Sequence, residues 1–177
     1  MTYPSAYISY LVEFNGTRDF FECHELLEEY WKEHPGDPRA AIWVGLIQLA
    51  VGQYHERRSN LKGAVKMYEK ALDKLDSRSL EELGLDGSSA LAELNARYQS
   101  LQDGKELPYR DLTLIVTDPE LEKRCIHLCN ALNAKWGSSS PMELESLIHR
   151  HKLRDRSDVL AERAAAIEEK KKNRTVE

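Results

Sequence analysis

Glycine and proline are scarce in this chain: nine and six in 177 residues, about 8% together against an ordinary share of roughly 12%. With 41% of residues hydrophobic, the shortage excludes collagen-like repeats and a wholly disordered chain, and favours a mostly helical domain with one core. No apolar run approaches the length of a membrane span, and Glu13, Arg18 and Asp19 interrupt what would be the apolar stretch of a signal peptide. The expected setting is therefore cytoplasmic, with no membrane. Cysteine is limited to Cys23, Cys125 and Cys129, an odd number that leaves reduced thiols as the default. Positive charge is also short: the formal net charge is -5, and residues 1–145 carry 16 Lys and Arg against 24 Asp and Glu. Phosphate binding depends on clustered Lys and Arg, so nucleic acid is not expected as the main partner. Residues 146–177 reverse the balance, 9 against 6, and Lys170, Lys171, Lys172 and Arg174 read as a solvated end that frays after about residue 168. Gly-rich phosphate loops, a serine nucleophile elbow and any E-x-x-H pair are absent. Nucleotide-dependent, serine-hydrolase and di-iron chemistry thus have no support.

Helix punctuation, by contrast, is plentiful. Asp37-Pro38, Asp118-Pro119 and Ser140-Pro141 each place a capping side chain before a proline that needs no amide partner, and Glu143 completes a capping box with Ser140. Ser79 to Glu82 forms a further box, and Asn60 can open a helix. Asn15-Gly16 and His34-Pro35-Gly36-Asp37 read as tight turns. The pattern predicts helices near 5–14, 18–33, 38–58, 60–76, 79–84, 89–101, 119–136 and 141–170, the last interrupted near Asp155 to Asp158. Residues 112–116 look strand-like but have no obvious partner, and read as extended loop. The expected fold is an all-α, compact helical bundle built on an antiparallel pair, 18–33 and 38–58. Residues 1–105 form the bundle, and 106–177 form a helical extension packed on the same domain.

At about 100° per residue, His24 and Glu28 fall inside the apolar arc that Phe20, Phe21, Cys23, Leu26, Leu27, Tyr30 and Trp31 define on the first helix of the pair, with Glu25 near its boundary. A carboxylate among aromatic side chains has to be paired, metal-bound or protonated. The second helix is apolar on every side over 40–52 except at Gln48, which shares a face with His55, Val44 and Val51 and is flanked by Gly45 and Gly52. In an antiparallel pair turning near Gly36, His24 lies level with Gln48 and Glu28 with Val44, while His55 lies about 10 Å further along the axis. Two readings follow. In one, His24 and Glu28 are ligands of a divalent metal, zinc, manganese, iron or nickel. Gln48 or His55 and water then complete the shell, and Glu25 is the general base for metal-bound water on an unknown small substrate. In the other, the imidazole bonds Gln48 and Glu28 in an interior polar network without chemistry.

The runs Phe14-Asn15, Phe20-Phe21-Glu22-Cys23-His24-Glu25-Leu26-Leu27-Glu28-Glu29-Tyr30-Trp31, Gly45-Leu46-Ile47-Gln48-Leu49-Ala50 and Arg57-Arg58-Ser59-Asn60-Leu61-Lys62-Gly63-Ala64 resemble a family. It is a small all-helical bacterial and archaeal domain of unknown function, often catalogued as a predicted metal-dependent hydrolase. The resemblance covers roughly residues 10–75. It implies a site at His24, Glu25 and Glu28 with Gln48 and His55 nearby, and it implies no substrate. A rival reading comes from Val51-Gly52-x-x-His55, Ala64-x-x-x-Tyr68 and Ala71, which follow the spacing of a tetratricopeptide helix pair. His55 stands where Tyr is usual and no second copy falls in register. The rival is therefore a single helical hairpin that docks a peptide or partner protein, not a solenoid, and a homo-oligomer is compatible with either. Cys125 and Cys129 share a helical face from which His127 points away, as ordinary buried thiols would. His149 and His151, among Arg150, Lys152 and Arg154, read as solvated.

Overall fold

In the computed structural model, which describes residues 2–105, 107–150 and 168, five helices start at a side chain that accepts from a free amide. α1 (Ser5–Val12) follows Pro4 and runs into a single π-helical turn, Glu13–Thr17, that takes in the expected Asn15-Gly16 turn. Arg18 then adopts a left-handed backbone (φ 59°). Asp19 accepts the Glu22 amide at 3.1 Å to open α2 (Phe20–Glu33). Asn60 does the same for α4 (Leu61–Lys74), and Asp118, with Pro119 in the first turn, for α7 (Pro119–Ala131). Both starts are as the sequence predicts. α5 (Ser77–Glu82) and α6 (Gly87–Gln102) are capped by Asp76 and Asp86. Ser79 is thus not a cap: its amide and hydroxyl both donate to Asp76.

Two further expected starts are corrected. α3 begins at Ala40 and runs to Arg57, because the Asp37 carboxylate is drawn back onto Trp43 Nε1 (3.0 Å), the Arg39 amide (2.8 Å) and the Arg39 guanidinium. No helix opens at Pro141, because Ser140 is occupied elsewhere: its hydroxyl and amide both donate to Asp111. Beyond α7 the described residues hold one short helix, α8 (Glu145–Ile148), and Arg150 and Glu168 are also helical, within the predicted 141–170 span. α7 itself stops at Ala131, short of the predicted end, and Asn133 turns left-handed (φ 55°). The interruption near Asp155 to Asp158, the frayed tail and His151 lie outside the described residues.

The architecture is all-α, and among the described residues no helix is long and apolar enough to cross a membrane. α2 and α3 form the antiparallel pair: Tyr30 meets Trp43 edge-on at 5.9 Å between ring centroids, and Phe21 meets Tyr54 at 6.1 Å. α4 packs on the other side of α3, where a Cβ at Gly45 would lie 2.6 Å from Leu75 and one at Gly52 2.4 Å from the Tyr68 ring. α1 rests on α2 and α7. Tyr7, Tyr10, Phe14, Phe20, Trp43 and Leu46 share one core with Leu112, Leu114, Leu121, Cys125 and Cys129, so both halves of the chain bury apolar surface together. Cys125 and Cys129 are buried while His127 is exposed. Burial pushes the Cys125 thiol up to about 12, which keeps it protonated and unreactive.

Residues 112–116 are extended, and only Val116 forms a ladder contact, an antiparallel bridge to Leu85. Side-chain amides replace the missing strand. Asn15 donates to Leu114 O (2.7 Å) and accepts from Leu114 N (3.0 Å), and Gln53 Oε1 accepts from Leu112 N (2.8 Å). These bonds satisfy buried backbone groups that would otherwise be costly.

Asp37 gives the fold an acid sensitivity. Burial alone would raise its carboxyl, but the hydrogen bonds from Trp43 and Arg39 outweigh that and lower it from 3.8 to about 2. A folded-state pKa below the unfolded one adds stability that is complete above the unfolded value. The contribution of Asp37 should therefore be full above about pH 4 and fade as the pH falls toward 2. Urea denaturation between pH 2 and 6 should show this slope flattened in Asp37→Asn, and an unchanged slope would refute it.

Candidate functional site

His24, Glu25 and Glu28 come together on α2, at the edge of its apolar face and not inside it. The buried residues of that face are Phe20, Cys23 and Leu27, and the side chains of His24, Glu25 and Glu28 keep 29%, 40% and 32% of their exposure. The predicted arc is too broad because its flanking rings, Phe21, Tyr30 and Trp31, are themselves only half-buried. His24 Nε2 lies 3.0 Å from Glu28 Oε2, and the other oxygen of Glu28 lies 3.1 Å from Lys32 Nζ. Glu25 Oε1 is 3.8 Å from His24 Nδ1, beyond hydrogen-bond distance, whereas the 3.0 Å approach of Nε2 to a Glu28 oxygen, which accepts, places a ring proton on Nε2.

On α3, Val44, Gln48, Val51 and His55 form one half-buried stripe, between the side that meets α2 and the side whose glycines admit α4. The buried stripe is the opposite one: Leu46, Leu49, Gln53 and Arg57. Gln53, fully buried, is therefore the interior polar side chain that the sequence assigns to Gln48. Gln48 still has a buried Oε1 that accepts no hydrogen bond among the described residues, so the predicted imidazole-to-Gln48 bond is not formed there. His55 Nδ1 lies 3.1 Å from Asn60 Nδ2. A row of rings, His24, Phe21, Tyr54 and His55, with centroids 5.8 to 6.1 Å apart, runs across the two helices.

Two neighbouring ligands of a small divalent ion bonded at about 2.0–2.1 Å sit roughly 3 Å apart, the separation His24 Nε2 and Glu28 Oε2 already have. Among the described residues, no three His, Cys, Asp or Glu side chains converge on one point, so the fit is to two protein donors of these types. Cavities of 560 Å³ and 270 Å³ lie elsewhere, the first beside α6 and the second between α1, α2 and α7, and neither is lined by His24, Glu25, Glu28, Gln48 or His55.

Beneath the α2 and α3 pair is a polar cluster that periodicity does not reveal. Arg18, with 2% exposure, donates to Ser138 O (2.7 Å), Phe14 O (3.1 Å), Leu112 O (3.0 Å) and Thr113 Oγ1 (2.9 Å). Arg57 donates to Arg18 O (2.6 Å) and Ser140 Oγ (3.0 Å) and stacks 4.5 Å from the centre of the Phe20 ring. Asp111 faces Arg18 at 3.9 Å and accepts from Tyr109 (2.7 Å). Burial lowers both guanidinium pKa values, against the opposing pull of Asp111. For Arg57 a signal exists, since the wheel places it with Leu46 and Leu49. Arg18 lies in a turn, where no pattern marks it.

An all-α bundle with a helix-borne His and Glu pair and a buried arginine cluster is the class of protein this geometry defines. Residues 7–67 match the model of a domain of unknown function, DUF309. Over 174 residues the chain is 44% identical to the uncharacterized protein YpuF of Bacillus subtilis strain 168, covering 97% of this chain and 99% of that one. The chain belongs to this DUF309 family. No solved structure matches it.

Proposed function

We propose that the α2 face carrying His24 and Glu28 holds a divalent metal ion and hydrolyses a small substrate. The approach of Nε2 and Oε2 to 3.0 Å on consecutive, half-exposed turns carries this reading. His24 and Glu28 would hold the ion, with Gln48, His55 or water filling further positions, and zinc, manganese, iron and nickel all suit mixed nitrogen and oxygen donors. Such an ion, when bound, brings the pKa of a coordinated water toward neutrality. Glu25 serves as the proton acceptor for water, and His24 Nε2, which donates to Glu28 without the ion, would have to present its lone pair with the proton on Nδ1. Lys32 has to release Glu28 Oε1 for both carboxylate oxygens to be available. A second reading, a peptide- or protein-binding helical module whose cluster only stabilises α2, is favoured by that same Lys32 contact, which already neutralises Glu28.

Elemental analysis and calorimetric titration of protein purified without a histidine tag separate the two. About one ion per chain is expected, lost in His24→Ala and Glu28→Gln. The metal reading fails if the unsubstituted protein binds no zinc, manganese, iron or nickel at micromolar concentrations. In that case the two variants should lower only the stability, by the small amount a half-exposed helical ion pair allows, about 0.3–0.5 kcal/mol.

A further inference from the structure

The 560 Å³ cavity beside α6 has a chemistry of its own, independent of the α2 face. Its volume falls in the range of small-molecule sites, about 300–1,000 Å³. Ala96 and Leu101 of α6 make one apolar wall, and Leu107 and Pro108 of the chain that follows make the other. Leu107 is 70% exposed, a large apolar side chain left at the opening. On the floor, Arg97 is spent: it holds Glu56 at 2.8 Å and Glu93 at 3.0 Å, and its Nη1 also donates to the Arg110 carbonyl. Each acid of the cavity thereby has a cation beside it, and the charged side chains of the lining, Glu56, Glu93, Arg97, Lys105 and Arg110, sum to one positive charge, so an ammonium ligand would find no uncommitted carboxylate. The unspent charge is positive and lies at the mouth. Lys105 has no ion-pair partner among the described residues, and Arg110, 81% exposed, reaches only Glu93, at 3.7 Å.

We infer that this cavity binds a small hydrophobic carboxylate, with its apolar body between the two walls and its carboxylate at the mouth beside Lys105 and Arg110. A carboxylate held there stays in contact with water and avoids the desolvation cost of a buried anion. The walls offer the same apolar surface to any ligand of that size, so the mouth supplies the selectivity.

The test is calorimetric titration of the full chain at low ionic strength with 4-phenylbutyrate and with 4-phenylbutylamine, which share a body and differ in charge. The acid should bind saturably and about tenfold more tightly than the amine, and added salt should narrow the gap. Reversing the mouth with Lys105→Glu and Arg110→Glu together should abolish the preference. Ala96→Trp and Ser100→Trp, both on the helix surface lining the cavity, should each weaken binding of the acid by filling it. The inference is overturned if the acid does not bind, if acid and amine bind equally, if the preference survives charge reversal, or if neither folded tryptophan variant weakens binding.

Discussion

Arg18→Met is expected to lower the free energy of unfolding by about 3–5 kcal/mol, the cost of removing one partner from a buried charge pair. The guanidinium satisfies the Phe14, Leu112 and Ser138 carbonyls and is the cation nearest Asp111. Methionine fills much of the same space and restores none of those bonds. Arg18→Lys should fall between the two, since an ammonium keeps the charge but cannot span acceptors on three separate segments with a planar fork. Equilibrium urea unfolding measures all three proteins. A loss of less than about 1 kcal/mol for Arg18→Met, the size of an ordinary substitution, would show that the cluster does not hold the two halves of the chain together.

Gly52→Ala should also destabilise, by about 1–3 kcal/mol, as overpacking does. The sign is what makes this informative. In an exposed helix interior alanine is favoured over glycine by nearly 1 kcal/mol, so helix propensity alone predicts a gain. Here the new methyl would overlap Tyr68 Cε1 and Cδ1, at 2.4 and 2.5 Å. The ring cannot retreat freely, because its hydroxyl accepts from Gln53 Nε2 at 2.6 Å and donates to Glu56 at 3.0 Å. Thermal unfolding of Gly52→Ala, of Tyr68→Leu and of the double variant should show the pair less damaging than the two singles added together. Gly36→Ala is the matched control: its Cβ would meet nothing within 4 Å, and its effect should stay within about 0.5 kcal/mol. A stabilised Gly52→Ala would mean that α3 and α4 are not in close contact at this point.

Much of the fold is legible because its signals are local. Asn60 and Asp118 act as caps within three residues of themselves, and the spacing of His24 and Glu28 puts them on one face whatever the rest of the chain does. Direction is harder to read. Apart from Gln48 the run 40–52 is apolar on every side, so little that is local shows which stripe of α3 will be covered. The cover over Gln53 comes from Tyr109 and Leu112, and that over Arg57 from Arg18, Phe20 and Ser140, none of them on a neighbouring turn of α3. Ser140-Pro141 fails as a helix start for the same reason. Its hydroxyl is captured by Asp111, 29 residues away, and a short-range capping pattern carries no information about that competition. His24 and Glu28 lie shallower than their positions on the wheel predict, because the aromatic residues flanking them are themselves only half-buried.

The partners of Arg18 and Arg57 also bear on the order of events during synthesis. Leu112, Thr113, Ser138 and Ser140 are made long after the two arginines they receive. While the first hundred residues leave the ribosome, the Phe14 and Arg18 carbonyls and the Tyr68 hydroxyl can accept from Arg18, Arg57 and Gln53, but water has to meet their remaining bonds and those of the Asn15 amide. The nascent helices can form on their own, but the native interior closes only once residue 140 has emerged.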